Sequence, residues 1–64
     1  MLVNGREMEY KGGITISSLL NDLNLDEDKV VVEVNREIVL KKNYSSYTLH
    51  KEDKVEIVSF VGGG

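Results

Sequence analysis

Apolar residues change their spacing along this chain, and each change marks an element. Met1 to Val3 and Glu7 to Tyr10 are short runs flanking Asn4-Gly5-Arg6, and Asn-Gly between such runs is the strongest short signal for a tight hairpin turn. The chain is therefore expected to open with a β-hairpin. Lys11-Gly12-Gly13 breaks the second strand, and Thr15 stands where a hydroxyl can cap the free N–H groups of a helix. Ile16, Leu19, Leu20 and Leu23 then fall at i, i+3, i+4 and i+7, whereas Ser17, Ser18, Asn21 and Asp22 occupy the other face. That spacing predicts one amphipathic helix of about three turns. Asn24 can adopt the left-handed conformation that ends a helix, with Leu25 folding back onto the last turn. Asp26-Glu27-Asp28 reads as a solvated loop.

A period of two follows. Val30, Val32 and Val34 share one face of a strand, with Val31 and Glu33 on the other. Asn35-Arg36 makes a second hairpin-like turn, and Glu37 to Leu40 can form the return strand. Lys41 to Ser46 is polar and expected to be loop, with Tyr44 and Tyr47 as candidates to tuck against the sheet. His50 to Asp53 turns the chain into a last strand, Lys54 to Phe60, where Val55 and Ile57 alternate with Glu56 and Val58. The order is ββαββ plus a final strand. A helix too short to bury its apolar face alone must lie across the sheet, which predicts a two-layer α+β domain.

With 64 residues, 41% of them hydrophobic and 30% charged, the composition is that of one globular domain. A chain of this size buries only about 60% of the surface its unfolded form exposes, so a deep private active site is not expected. There is no cysteine, hence no disulfide, no thiolate nucleophile and no cysteine-based metal site. His50 sits among Lys51, Glu52 and Asp53 and reads as a solvated turn residue, not as a ligand. No metal site or bound cofactor is expected. A net charge of −3 argues against nucleic-acid binding, which needs clustered positive charge. The first residues lack the basic start and apolar stretch of an export signal, and no run is long enough to span a membrane. The cytoplasm is the expected compartment, and a monomer the expected free state.

The strongest functional signal follows the last strand. Gly62, Gly63 and Gly64 cannot help build a core, and glycine loses the most freedom on ordering. Residues 1–61 thus form the domain and 62–64 a flexible tail. If Val55 and Ile57 face the helix, Val58 and Phe60 face the opposite side of the sheet, as does Leu2 when Met1 and Val3 point inward. Leu2, Val58, Phe60 and Val61 are therefore candidates for a partner-binding patch beside the tail. The Gly64 α-carboxylate, with a pKa of about 3.5, is an anion and a poor electrophile at neutral pH. The chain has neither a phosphate-binding glycine loop nor a nucleophile set to activate it. It should be a protein substrate for an ATP-using partner. A three-glycine tail reaches roughly 10 Å and carries no side chains, so it can thread a narrow channel.

With the hairpin on Asn4-Gly5, the helix start Thr15 to Leu20, the segment Val32 to Val39 and the ending Asp53 to Val58 through Gly64, the whole chain resembles the thiamine-biosynthesis sulfur carriers, the ThiS family. Asn24 stands where the family's helix-ending glycine is expected, and Glu52 where a turn glycine is usual; both are changes in turns. The resemblance implies a ubiquitin-like β-grasp, a mixed sheet of four to five strands packed on one helix. It also implies adenylation of Gly64 by an E1-like, ThiF-type adenylyltransferase that uses ATP. Conversion to a thiocarboxylate would draw sulfur from a donor such as a cysteine desulfurase, for delivery to a ThiG-type thiazole synthase. Three other readings stand beside it: a small subunit of molybdopterin synthase, a non-covalent β-grasp interaction module, and a modifier conjugated to other proteins. The molybdopterin subunit tends to be longer and to carry proline near its tail, whereas this chain has no proline.

Overall fold

In a computed structural model, residues 1–60 are described. The strands are β1 (Leu2–Val3), β2 (Arg6–Glu7), β3 (Val30–Val34), β4 (Glu37–Val39) and β5 (Lys54–Ser59), and the helix is α1 (Ile16–Asp22). They form one mixed sheet in the order β2-β1-β5-β3-β4. β1 runs parallel to β5, and the other three pairings are antiparallel.

Both hairpins turn through two residues of positive φ. Asn4 (φ 51°) and Gly5 (φ 81°) close β1 on β2, and Asn35 (52°) and Arg36 (71°) close β3 on β4, the mirror-image turns whose twist matches that of paired strands. The first hairpin is shorter than the expected Glu7–Tyr10 strand, because β2 ends at Glu7. Beyond it the Met8 amide makes one further bond, to the Met1 carbonyl at 2.9 Å, while Met8 and Tyr10 pack against the core and the Tyr10 hydroxyl donates to the Leu49 carbonyl at 2.8 Å. Their alternation reports burial rather than a longer strand. β4 likewise stops at Val39, and a single 3-10 turn at Lys41–Asn43 follows where an irregular loop was expected. Another such turn, Glu27–Lys29, occupies the acidic loop, capped by the Asp26 side chain.

The helix has two turns, not three. Thr15 is its N-cap, the Oγ1 accepting from the Ser18 amide at 3.1 Å, and Leu23 is already the C-cap. Asn24 takes φ 58°, its amide donates to the Asn21 carbonyl and the Leu25 amide to that of Leu20. This double closure is the Schellman arrangement, with asparagine in the position usually held by glycine. At the other end, the amides of Ile16 and Ser17 donate to the carbonyls of Tyr47 and Tyr44, both at 3.1 Å. A first turn that would otherwise expose orphan donors is thus finished by the strap 44–49. The strap is fastened further by Leu49, whose amide donates to the Ile14 carbonyl at 2.8 Å.

Ile16, Leu19 and Leu20 of α1 are fully buried against Val32, Val34, Val55 and Leu49. Tyr44 is buried and Tyr47 half-buried, so both pack. Asp53 is also buried. Its Oδ2 accepts from the His50 amide (2.8 Å) and its Oδ1 from Asn35 Nδ2 (3.0 Å), while Asn35 Oδ1 accepts from the Lys54 amide (3.0 Å). These bonds fasten the β3–β4 turn to the start of β5.

Leu20→Ala is expected to cost about 2–5 kcal/mol, because a rigid two-layer core refills the void poorly; urea unfolding measures it. Burial lifts the Tyr44 phenol above its ordinary pKa, the nearby Glu27 charge adds to the effect, and the Val32 backbone opposes it. Below the unfolded pKa of about 10 the phenol is neutral in both states, and the linkage is silent. Above it the unfolded chain releases its proton first, so stability should fall with rising pH until the folded phenol also ionises. Tyr44→Phe should flatten that alkaline decline in denaturation curves recorded from neutral to high pH.

Candidate functional site at the end of the central strand

The strand leading to the glycine tail is the middle one of the sheet, held by β1 on one side and β3 on the other. Alternation along it turns Val55 and Ile57 inward and leaves Lys54, Glu56 and Val58 exposed. The antiparallel ladder continues past the strand's last residue, since the Phe60 amide donates to the Lys29 carbonyl at 2.9 Å. The body therefore grips the chain up to Phe60. Val61, Gly62, Gly63 and Gly64 lie outside the described residues.

Register decides what surrounds this end. Val58 pairs with Val31, and Glu56 with Glu33, which in turn faces Ile38. The outer face thus carries Val31, Val58 (59% exposed) and Ile38 (67% exposed), with Leu40 just past β4 and Phe60 just past β5. Exposed apolar residues so close together form a patch of the sort that marks a partner surface. Leu2 does not join it. The parallel register sets Leu2 against Lys54, four residues from Val58, or about 13 Å along a strand. Leu2 instead lines a groove of about 450 Å³ with Gly5, Asn35, Arg36 and Glu56. The expected patch of Leu2 with Val58 and Phe60 is thereby corrected: adjacency of β1 and β5 was right, but β1 ends before it reaches Val58.

Three patch residues, Val31, Ile38 and Leu40, went unread in the sequence. Val31 carried a signal, an apolar residue on the face opposite Val30, Val32 and Val34. Ile38-Val39-Leu40 carried another, an apolar triple of which only Val39 is buried. Placing them beside Val58 requires the β3–β5 and β3–β4 registers. Among the described residues no group of His, Asp and Glu is arranged to hold a metal. No helix in the described part is long and apolar enough to cross a membrane.

One helix across a mixed five-stranded sheet, with parallel first and last strands, is the ubiquitin-like β-grasp. The ThiS family profile matches residues 1–64. The sulfur carrier protein ThiS of Bacillus subtilis is 41% identical over 63 residues, covering 97% of this chain and 96% of that protein. A thiazole synthase of Paramagnetospirillum magneticum is 42% identical over all 64 residues, but the chain spans only 20% of that protein's length. The crystal structure of the thiamine biosynthesis protein ThiS from Geobacter metallireducens superposes with a TM-score of 0.78 at 29% identity, covering 98% of this chain and 96% of that one. The chain belongs to the ThiS family, the small sulfur carriers of thiamine biosynthesis.

Glu33 and Glu56 stand directly opposite each other on the patch, and like charges in that relation destabilise a sheet. Glu56→Gln should therefore raise unfolding stability by about 0.2–1 kcal/mol, less at high salt. A thermal-denaturation series at two ionic strengths checks this.

Proposed function

We propose that the Gly64 carboxylate is the point at which this carrier is charged with sulfur. An E1-like adenylyltransferase joins the carboxylate to AMP, releasing pyrophosphate from ATP. A persulfide sulfur, drawn from a donor such as a cysteine desulfurase, then displaces AMP to give an acyl disulfide, and a second thiol attacks the donor's sulfur, releasing the thiocarboxylate and leaving a disulfide. The charged terminus delivers its sulfur to a thiazole synthase. What carries this reading is the end-to-end similarity to a sulfur carrier of nearly the same length. The similarity to two thiazole synthases, each about five times longer than the stretch they share with this chain, supports a thiazole synthase as the receiving partner.

The body supplies a handle. Ordering a glycine tail in a channel costs about 1–2 kcal/mol per residue. Burial of Val58, Phe60, Val31 and Ile38 against the adenylyltransferase offsets that cost at about 25 cal/mol per Å² of apolar surface. Leu2, at the far end of β5, is left to a second contact.

Mass spectrometry of the intact protein after incubation with ATP, a ThiF-type enzyme and a sulfur source should show exchange of one oxygen for sulfur. An unchanged mass would overturn the proposal. Gly64→Ala should leave the fold intact and sharply reduce adenylation, measured by pyrophosphate release. Val58→Glu and Ile38→Glu, both at exposed positions, should weaken binding to the adenylyltransferase roughly tenfold each with little change in melting temperature.

A further inference from the structure

The first hairpin is fastened to β5 by a run of backbone bonds that ends in a side chain. The Leu2 amide donates to the Asp53 carbonyl (3.1 Å) and the Asn4 amide to the Val55 carbonyl (2.8 Å). There β1 leaves for its turn. The Asn4 side chain then takes the place of a further strand residue: Oδ1 accepts from the Ile57 amide at 2.7 Å, and Nδ2 donates to the Ile57 carbonyl at 3.2 Å.

The same asparagine is the one most open to chemistry. When the main-chain nitrogen after an asparagine loses its proton, it can attack the side-chain Cγ and close a cyclic imide, expelling the Nδ2 group as ammonia. A side chain on the attacking residue hinders that closure, and glycine has none. The other four asparagines precede Asp22, Leu25, Arg36 and Tyr44; Asn4 alone precedes glycine. Burial does not shield it, since Asn4 and Gly5 are both exposed. A Cβ added at Gly5 would meet nothing within 4 Å, so no neighbour crowds that residue either.

Conformation shields it instead. With φ at 51°, Asn4 occupies the first central position of a mirror-image turn, where ψ is roughly +30° to +47°. At such a ψ the Cβ stands nearly opposite the Gly5 nitrogen across the Cα–C bond, and Cγ is carried away from its attacker. Closing the ring needs both on the same side. That rotation undoes the turn and pulls the amide off Ile57.

We propose that Asn4 is a modification site which the fold holds shut: its amide is converted to a carboxylate when the first hairpin detaches from β5, and the product re-forms the attachment only in part. The reaction needs nothing but water. Hydroxide takes the Gly5 amide proton, the nitrogen bonds to Cγ, and the Cγ–Nδ2 bond breaks as ammonia leaves with a proton from water, which restores the hydroxide. Water then opens the imide at one carbonyl to give aspartate, or at the other to give isoaspartate. Aspartate keeps an acceptor for the Ile57 amide, but its second oxygen has no hydrogen to donate and stands against the Ile57 carbonyl. Isoaspartate runs the main chain through Cβ and lengthens a turn built for two residues. One opening long enough to react thus leaves a lasting mark on the seam between β1 and β5.

The full chain, folded in buffer or unfolded in guanidinium chloride, is incubated at mildly alkaline pH and followed by intact mass and peptide mapping. Because it has no glutamine, exchange of NH for O reports asparagine alone. Unfolded, the chain should convert at Asn4 ahead of the other asparagines. Folded, it should convert at least roughly tenfold more slowly, since opening must come first. Leu20→Ala, by populating open forms, should speed the reaction in buffer. Asn4→Asp supplies one product directly and should lower the melting temperature and hasten hydrogen exchange at the Ile57 amide; failure of that variant to fold would be the same result in stronger form. Equal rates in the folded and unfolded chain overturn the proposal. So does conversion spread evenly over the asparagines of the unfolded chain, or an Asn4→Asp variant with unaltered melting and unaltered Ile57 protection.

Discussion

The fold depends on the insertion of one strand between two hairpins. β1 with β2, and β3 with β4, are local pairs that the sequence closes through Asn4-Gly5 and Asn35-Arg36, but an isolated two-stranded hairpin is at best marginal in water. β5 joins them into one sheet and contributes Val55 and Ile57 to the face that receives the helix. The Asn4 amide and the Asn35–Asp53 pair extend that union beyond the strands themselves, each fastening a hairpin turn to β5. The segment that holds the sheet together is therefore the one that leads to the tail.

This arrangement separates stability from display. Along β5 the inward residues belong to the core, while Glu56 and Val58 face outward with Glu33, Val31 and Ile38. The outer face accepts an unfavourable opposition of carboxylates and several exposed apolar side chains that folding alone does not require. Both features fit the docking proposed for this face, in which apolar area would be buried on contact and a cationic group would meet two carboxylates.

Local chemistry was legible in the sequence. The helical face Ile16, Leu19, Leu20 and Leu23, the Thr15 cap, the Asn24 terminator and the Asn-Gly turn all follow from rules acting within a few residues, and the structure realises each. What was misread depends on register or on distant partners. Met8 and Tyr10 alternate like strand residues, yet after one last backbone bond from Met8 to Met1 they pack against the core instead of lengthening the strand. Lys41 to Ser46 is polar on average, but Tyr44 within it is buried and its carbonyl completes the first helical turn. Leu2 was grouped with Val58 because facing direction is a matter of parity, whereas position along a neighbouring strand is not. The tail's glycines were conspicuous; Val31, Ile38 and Leu40 were ordinary until the sheet brought them together.

The parallel pairing of β1 with β5 also has a mechanical meaning. Tension drawn between Met1 and Phe60 would slide these two strands along each other. The Leu2, Asn4 and Ile57 bonds between them would share the load together instead of opening one at a time like a zipper. Force drawn across those two ends would thus meet several bonds at once, and the body would resist it as a unit.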